Sequence, residues 1–347
     1  MKKLKVLVEM EKLSNLNSGL GQFCLGLGQA LVNENKNREL HFLVPEKNEG
    51  IFGKNAFYIF LKNYLFFLLN RPKSFDVWHC THQQSKFLPS NSKLILTIHD
   101  LNFLYKYKGI KKQLKLNVLQ RKVNKASAIV AISNFTANEI KQHLKVDDKK
   151  LHVIYNGVSL ISTENVELPS ILQNKKYLFS IGIINPKKNF HVLLPLLKND
   201  ANLILAIAGN STHHYVQQMK EIAQELGVLT QLHFLGLVSD DLKYTLYKNC
   251  YAFVFPSLSE GFGLPVIEAM LLGKAVFLSN KTCLPEIGGE EAFYFENFDA
   301  EHMQQVYEKG MKLYESDLNK AHRIQLHAAQ FSWEIAAKKY LEVYDSL

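Results

Sequence analysis

Short apolar runs rich in β-favouring residues alternate with stretches of helical period along the whole chain. In the first half the runs are residues 6–8, 40–44, 77–80, 94–98, 128–132 and 152–154; in the second half they are 177–181, 203–208, 232–235, 252–255 and 275–278. Strands that alternate with helical segments predict a parallel sheet wrapped by helices, and the scheme occurs twice. Between the halves, residues 159–170 are largely polar, lack a helical period and contain Pro169, as a linker does. The pattern therefore predicts an α/β chain of two doubly wound domains, residues 1–160 and 171–330. Open sheets of this kind collect ligands beyond the carboxyl ends of their strands, so two facing domains would create a central cleft with a binding edge on each side. Residues 51–69 are apolar and aromatic, but Lys54, Asn55, Lys62 and Asn63 interrupt them, which argues against a spanning helix. Residues 58–69 are predicted as an amphipathic helix, either buried or lying on a membrane interface.

Composition agrees with this organisation. A length of 347 residues with 47% apolar content suits two cores of about 150 to 180 residues each. The cysteines, Cys24, Cys80, Cys250 and Cys283, lie far apart without a Cys-x-x-Cys pair, so neither a zinc site nor a disulfide framework is expected, and a reducing cytoplasm fits. The start, Met-Lys-Lys-Leu-Lys, leads into a strand and not into an apolar stretch of secretory length.

The net charge of +9 draws the chain to polyanions. Neither zinc-finger spacing nor an aromatic RNA-binding signature is present, which sets nucleic acid behind an anionic membrane surface as the partner. Lys106, Lys108, Lys111, Lys112, Lys115, Arg121, Lys122 and Lys125 concentrate on one expected helix. They form either a solvated face or a membrane-docking face, which would hold a cytoplasmic protein at the inner side of the plasma membrane.

Residues 256–270 read Pro-Ser-Leu-Ser-Glu-Gly-Phe-Gly-Leu-Pro-Val-Ile-Glu-Ala-Met, with Glu260 and Glu268 on either side of a glycine-flexed turn. The apolar run before them and Pro265 within them predict strand, loop, helix. Gly261 and Gly263 let backbone N–H groups approach a ligand, and the helix directs its partial positive end at the loop, so an anion is expected there. Lys187 and Lys188 follow Ile-Ile-Asn-Pro just beyond the strand that opens the second domain, which should put at least one ammonium group in the cleft. Gly19 and Gly21 follow the first strand by a loop, as a backbone turn near a pyrophosphate or an acceptor would. Their spacing lacks a third glycine and a placed acid, which weakens an NAD reading. His213-His214 is not a metal pair at helical spacing and there is no Asp-x-Asp signature, so the chemistry is expected to need neither metal nor cofactor.

The stretch 259–270 resembles the Glu-x7-Glu signature of the retaining, nucleotide-sugar-dependent family 4 glycosyltransferases, in particular their mannosyltransferase-like group. In that family two Rossmann-like domains form the GT-B fold. Further pieces follow in the family's order: Ser18-Gly-Leu-Gly-Gln, His99-Asp100, Ala131-Ile-Ser-Asn-Phe, Tyr155-Asn-Gly-Val, Pro186-Lys-Lys-Asn, Phe234-Leu-Gly-Leu-Val-Ser and Phe331-Ser-Trp-Glu.

The resemblance implies an N-terminal acceptor domain completed by residues 331–347 and a C-terminal domain that binds the donor. It makes Lys188, with Lys187 beside it, the grip on the diphosphate. Glu268 would hold the ribose hydroxyls from the first turn of its helix, and Glu260 would face the sugar. The amides of Gly261, Phe262, Gly263 and Leu264 would hold sugar and phosphate oxygens. Gly209 and Val238 would lie against base and ribose, and His99 would position the sugar or stabilise charge. The family arginine is absent, with Ile183 and Lys187 standing at its two usual positions.

The implied reaction moves a hexosyl group, of mannose or glucose type, from a nucleotide-diphosphate sugar to a saccharide or lipid-linked acceptor in cell-surface polysaccharide or lipopolysaccharide synthesis. Retention would proceed by front-face attack, because no nucleophile is evident for a double displacement. The alternatives are an epimerase of the same architecture and a non-catalytic nucleotide-sugar-binding protein.

Overall fold

The computed structural model describes residues 3–16, 18–61, 75–159, 164, 166–210 and 214–347. It divides into two compact units, the first comprising Met1–Val158 with Phe331–Leu347 and the second Ser159–Gln330.

Unit 1 is built on a parallel sheet of β1 (Lys5–Glu9), β2 (Glu39–Pro45), β3 (Phe57–Leu61), β4 (Val77–Cys80), β5 (Lys93–Ile98), β6 (Ala128–Ala131) and β7 (Leu151–Val153). Their spatial order is β3-β2-β1-β4-β5-β6-β7, so the direction of winding reverses between β1 and β4. Successive side chains of a strand point to opposite faces. Accordingly Val6 and Val8 pack with Phe23, Leu27 and Leu31 of helix α1 (Gly19–Glu34), whereas Leu7 packs with Trp78, Leu96, Leu119 and Ile140 on the other face. Helices Gly109–Lys125 and Asn134–His143 cover that second face.

The last helix, Trp333–Asp345, joins α1 on the first face and brings Tyr340 and Tyr344 into the core. Both phenols would be costly to bury unpaired. The Tyr344 hydroxyl lies 2.8 Å from His79 Nδ1, His79 Nε2 lies 2.8 Å from the Thr97 hydroxyl, and that hydroxyl is 3.1 Å from the Tyr340 hydroxyl. Burial holds the His79 pKa down at about 3, so its ring is a neutral member of this chain of bonds.

One expectation is corrected here. The predicted helix 58–69 begins instead as the strand Phe57–Leu61, paired in parallel with β2 through His41↔Phe57 to Pro45↔Leu61. Tyr58, Ile59 and Phe60 are β-favouring and half-buried on both faces, which suits an edge strand better than a helix stripe. Residues 62–69 lie outside the described residues.

Unit 2 repeats the scheme with β8 (Lys176–Ile181), β9 (Leu203–Ala208), β10 (Leu232–Gly236), β11 (Ala252–Phe255), β12 (Val276–Ser279) and β13 (Phe293–Phe295). Their order is β10-β9-β8-β11-β12-β13, all pairs are parallel, and the reversal falls between β8 and β11. The central strands are buried on both faces, which explains their unbroken apolar sequences. Among the described residues no helix is long and apolar enough to cross a membrane.

Candidate functional site

In a doubly wound sheet the carboxyl ends of the two strands at the reversal are free of crossover connections and open a crevice between them. In unit 2 this place is filled by the segments after β8 and β11. After β8, Asn185 caps the 3-10 turn Pro186–Lys188, its Oδ1 accepting the Lys187 N–H at 3.0 Å, and Asn189 closes the turn in the left-handed region. The turn leaves Lys187 exposed and points Lys188 across to the segment after β11.

There Lys188 Nζ lies 2.6 Å from Glu260 Oε1, both side chains being about 15% exposed, and 4.7 Å from the centre of the Phe255 ring. The ion pair is therefore partly desolvated, and the ring face adds a favourable quadrupole for the ammonium. Glu260 is fixed further: its Oε1 accepts the Ser257 hydroxyl at 2.5 Å and its N–H donates to Thr282 Oγ1 at 3.1 Å. The Leu258 N–H donates to the Lys187 carbonyl at 2.9 Å, so the two segments are tied by backbone as well as by charge.

The loop continues through Gly261 and the buried Phe262 to Gly263, which caps helix Leu264–Leu271 at φ 104°. Pro265 sits in the first turn, where its missing N–H costs nothing. Glu268 is the fifth residue of that helix and so lies one turn in from its start, which corrects its expected place in the first turn. Its carboxylate is instead held by helix Asp240–Asn249, accepting from Lys243 Nζ at 3.0 Å and from the Tyr247 hydroxyl at 2.8 Å. Burial and the neighbouring carboxylate raise the Tyr247 pKa well above the ordinary phenol value, which keeps it a donor. Burial opposes the Lys243 charge, but Glu268 and Asp240 outweigh it and the lysine pKa is raised.

Gly209 follows β9 at φ 136°, and a Cβ there would stand 1.9 Å from the Gly182 carbonyl oxygen; no side chain fits. Its N–H donates to the Gly236 carbonyl at 2.7 Å, and Val238 lies just beyond, before the Ser239 cap of the next helix. Unit 2 thus gathers Lys187, Lys188, Glu260 and the 261–264 loop in one crevice. Glu268, Gly209 and Val238 also lie beyond carboxyl ends of its strands or on the helix that follows. Thr282, Lys243 and Tyr247 had no signal in the sequence, because each meets its partner only through the fold, whereas Ser257 meets Glu260 locally within the 256–270 stretch.

The remaining expected residues belong to unit 1. His99 follows β5, is 7% exposed, and donates from Nε2 to the Thr81 carbonyl at 2.8 Å. The Phe23 ring meets it edge-on with centres 4.6 Å apart. Burial holds its pKa down at about 4, so the ring is neutral near pH 7 with Nδ1 as its acceptor. Asp100 caps the next segment, its Oδ1 accepting the Asn102 N–H at 2.9 Å.

Gly19 and Gly21 open helix α1 instead of forming a free loop. The Ser18 hydroxyl accepts the Gly21 N–H at 3.1 Å, and a Cβ on Gly21 would stand 2.1 Å from the Asn15 carbonyl oxygen. Lys122 departs from the expected basic face, donating inward to the carbonyls of Gln83 and Ser85, each at 2.8 Å.

Comparison with known proteins places both units. Residues 23–161 match the family model "Glycosyltransferase Family 4" and residues 163–329 match "Glycosyl transferases group 1". The serotype-specific mannosyltransferase WbdA of Escherichia coli is 31% identical over 239 residues, 64% of this chain but 29% of that protein. The match thus spans less than a third of that relative's length. The O-antigen chain mannosyltransferase RfbU of Salmonella typhimurium is 27% identical over 212 residues, 60% of this chain and 58% of RfbU.

Among solved structures, Anabaena Alr3699/HepE in complex with UDP and glucose superposes with a TM-score of 0.77 at 17% identity, over 99% of this chain and all of that one. Sucrose-phosphate synthase of Thermosynechococcus elongatus gives 0.78 at 16% identity, over 99% of both chains. At these identities the likeness establishes the fold, which is GT-B.

Proposed function

The chain belongs to the family 4 glycosyltransferases, and from that premise we propose that it moves a hexosyl group, of mannose or glucose type, from a nucleotide-diphosphate sugar to a saccharide or lipid-linked acceptor. The setting is cell-surface polysaccharide or lipopolysaccharide synthesis. The observation that carries the reading is the Lys188–Glu260 pair at 2.6 Å in the crevice between β8 and β11. In a nucleotide sugar the bond from the anomeric carbon to a phosphate oxygen breaks as positive charge develops on the sugar. An enzyme must neutralise the leaving diphosphate and leave the sugar in a negative potential. A cation and a carboxylate already in contact supply both signs. Lys188 Nζ turns to the diphosphate, and Glu260, released, takes the sugar hydroxyls.

The amides of Gly261 to Leu264 and the start of their helix add donors for the phosphate oxygens. Lys187 supplies a second, exposed cation. Glu268, oriented by Lys243 and Tyr247, accepts the ribose hydroxyls, and the Gly209 and Val238 backbone meets the nucleoside. Unit 2 is accordingly the donor domain and unit 1 the acceptor domain, with the Gly19 and Gly21 turn and His99 on its side. A neutral His99 accepts a sugar hydroxyl at Nδ1 and positions the ring without adding charge.

Transfer is retaining. The acceptor oxygen forms its bond to the anomeric carbon on the face the phosphate leaves, and its proton passes to the departing phosphate oxygen. No protein base, metal ion or cofactor is required for that exchange, because lysines and amides occupy the electrostatic role.

Helix Gly109–Lys125 supports a contact with an anionic membrane at the cytoplasmic face. Ile110, Leu114 and Val118 recur every fourth residue and are 81%, 59% and 53% exposed. Lys111, Lys112 and Lys115 flank them. An exposed apolar stripe bordered by ammonium groups is the composition of an interfacial helix. Leu114→Glu should weaken co-sedimentation with phosphatidylglycerol vesicles and leave binding to donor unchanged.

The direct test incubates the protein with UDP-, GDP- and ADP-hexoses and lipid-linked saccharides and identifies products by mass spectrometry. A glycosylated acceptor with the donor's anomeric configuration supports the reading; donor binding without product under every pairing overturns it in favour of a non-catalytic binder.

A further inference from the structure

We infer that Glu9, Glu11 and His82 form a binding site for a single transition-metal cation of the Zn2+ class at the carboxyl edge of the unit 1 sheet. Glu9 is the last residue of β1, Glu11 begins the turn that follows it, and His82 lies just beyond β4. β1 and β4 are paired neighbours, Glu9 opposite Cys80, and they flank the reversal of strand order where such sheets hold ligands.

The geometry suits a shared ion. His82 Nε2 is 3.3 Å from Glu11 Oε2 and 3.7 Å from Glu9 Oε2, and one ligand atom from each residue falls within 4.8 Å of the others. Nitrogen and oxygen ligands bound at about 2.0–2.2 Å to one centre stand roughly 3 to 3.6 Å apart, so small side-chain adjustments would close the cage. Among the described residues this is the one group of three such side chains so placed.

A second observation points into the same space. Glu9 is fully buried, and while its Oε1 accepts the Glu11 N–H at 2.6 Å, its Oε2 faces His82 without a hydrogen-bond partner. Such an oxygen is costly to bury unless a cation or a proton satisfies it. Lys12 Nζ is 3.7 Å from Glu11 Oε2 on the solvent side. The Lys122 ammonium, held by the Gln83 and Ser85 carbonyls, also attracts Glu9 but makes no ion pair with it among the described residues.

One imidazole nitrogen with two carboxylate oxygens favours Zn2+ and its first-row neighbours over Mg2+ and Ca2+, which prefer all-oxygen shells. The side chains of Glu9 and His82 are 0% and 2% exposed and that of Glu11 is 36% exposed, so a fourth coordination position would open on the Glu11 side.

The test uses the full chain stripped with a chelator and dialysed against Zn2+ or Mg2+, with metal content measured by mass spectrometry and affinity by calorimetry. The expected result is one Zn2+ per chain, weak Mg2+ binding, and Co2+ substitution giving a ligand-field absorption band. Glu11→Gln and His82→Gln should weaken Zn2+ by more than the roughly 10- to 100-fold typical for loss of an outer-shell partner. Glu11 is partly exposed, so its variant should fold even if His82→Gln does not, as checked by circular dichroism. No Zn2+ retained by the wild type, or unchanged affinity in folded Glu11→Gln, overturns the site. Metal content is read without glycosyl transfer, so failure here is distinct from failure of the proposed activity.

Discussion

In unit 1 the reversal of strand order falls between β1 and β4, and the residues at that edge are Glu9, Glu11, His82 and, one strand over, His99. In unit 2 it falls between β8 and β11, and the edge carries Lys187, Lys188 and the 261–264 loop, with Glu260 engaged by Lys188. Both edges come from the same winding rule, which fixes where a ligand can approach and says nothing about its charge. The side chains decide that. Unit 2 holds a cation and backbone donors suited to a diphosphate, whereas unit 1 buries acidic and imidazole groups suited to a cation or hydroxyls. The two differ also in the groups behind these edges: unit 1 buries the imidazoles of His79 and His99, whereas the Lys188–Glu260 pair of unit 2 stays about 15% exposed.

The comparison is broken most sharply by removing the charge that distinguishes unit 2. Lys188→Met or Glu260→Gln should lower kcat/KM by about 10²–10³-fold, in the range of losing a preorganised electrostatic group, with a melting temperature near that of the wild type. Steady-state kinetics with calorimetry of donor binding checks it. A loss confined to KM for Lys188→Met would mean that the lysine binds donor and transition state alike.

Acid should separate the units next. His79 and His99 have folded pKa values of about 3 and 4, below the ordinary 6.5, so the unfolded chain takes up protons that the folded unit 1 refuses. Their stabilisation is complete above pH 6.5 and is lost as pH falls through the folded values, costing each roughly 2 kcal/mol by pH 5. Calorimetric scans from pH 7.5 to 5 should show the unit 1 transition falling faster; parallel decline of both transitions would count against it.

Backbone fit comes third. Gly209→Ala forces a Cβ against the Gly182 carbonyl at a positive φ and should destabilise unit 2 by about 2–3 kcal/mol, while unit 1 melts unchanged. The smallest effect is expected from Tyr344→Phe, which leaves His79 Nδ1 without its donor and should cost unit 1 about 1–2 kcal/mol in urea unfolding.

Much of the fold was legible because buried parallel strands spell themselves out. Residues 77–80 and 203–208 are strands of the structure with those very bounds, and the alternation with helices was enough for two doubly wound sheets. Residues 58–61 were misread because half-buried edge strands and amphipathic helices share mixed apolar and polar composition over so short a span. In the site, the glycines and Pro265 announced a loop and a helix start, since local backbone demands act on local residue types. Glu268 sat just past the first turn where it was expected, because the helix begins at Leu264, one residue ahead of Pro265. The grouping of Glu11 with His82 was not readable, because the two are 71 positions apart and meet only through the pairing of β1 with β4.

The tyrosines that seal unit 1 come from its closing segment, Phe331–Leu347, and all of unit 2 is encoded before them. During synthesis the ribosome therefore releases an N-terminal sheet whose first face carries α1 but lacks the helix Trp333–Asp345, next a complete second unit, and after it the helix that finishes the first. Unit 2 can reach its native state while unit 1 waits, so the order of maturation runs opposite to the order of translation, and a circular permutant starting at Phe331 would restore it.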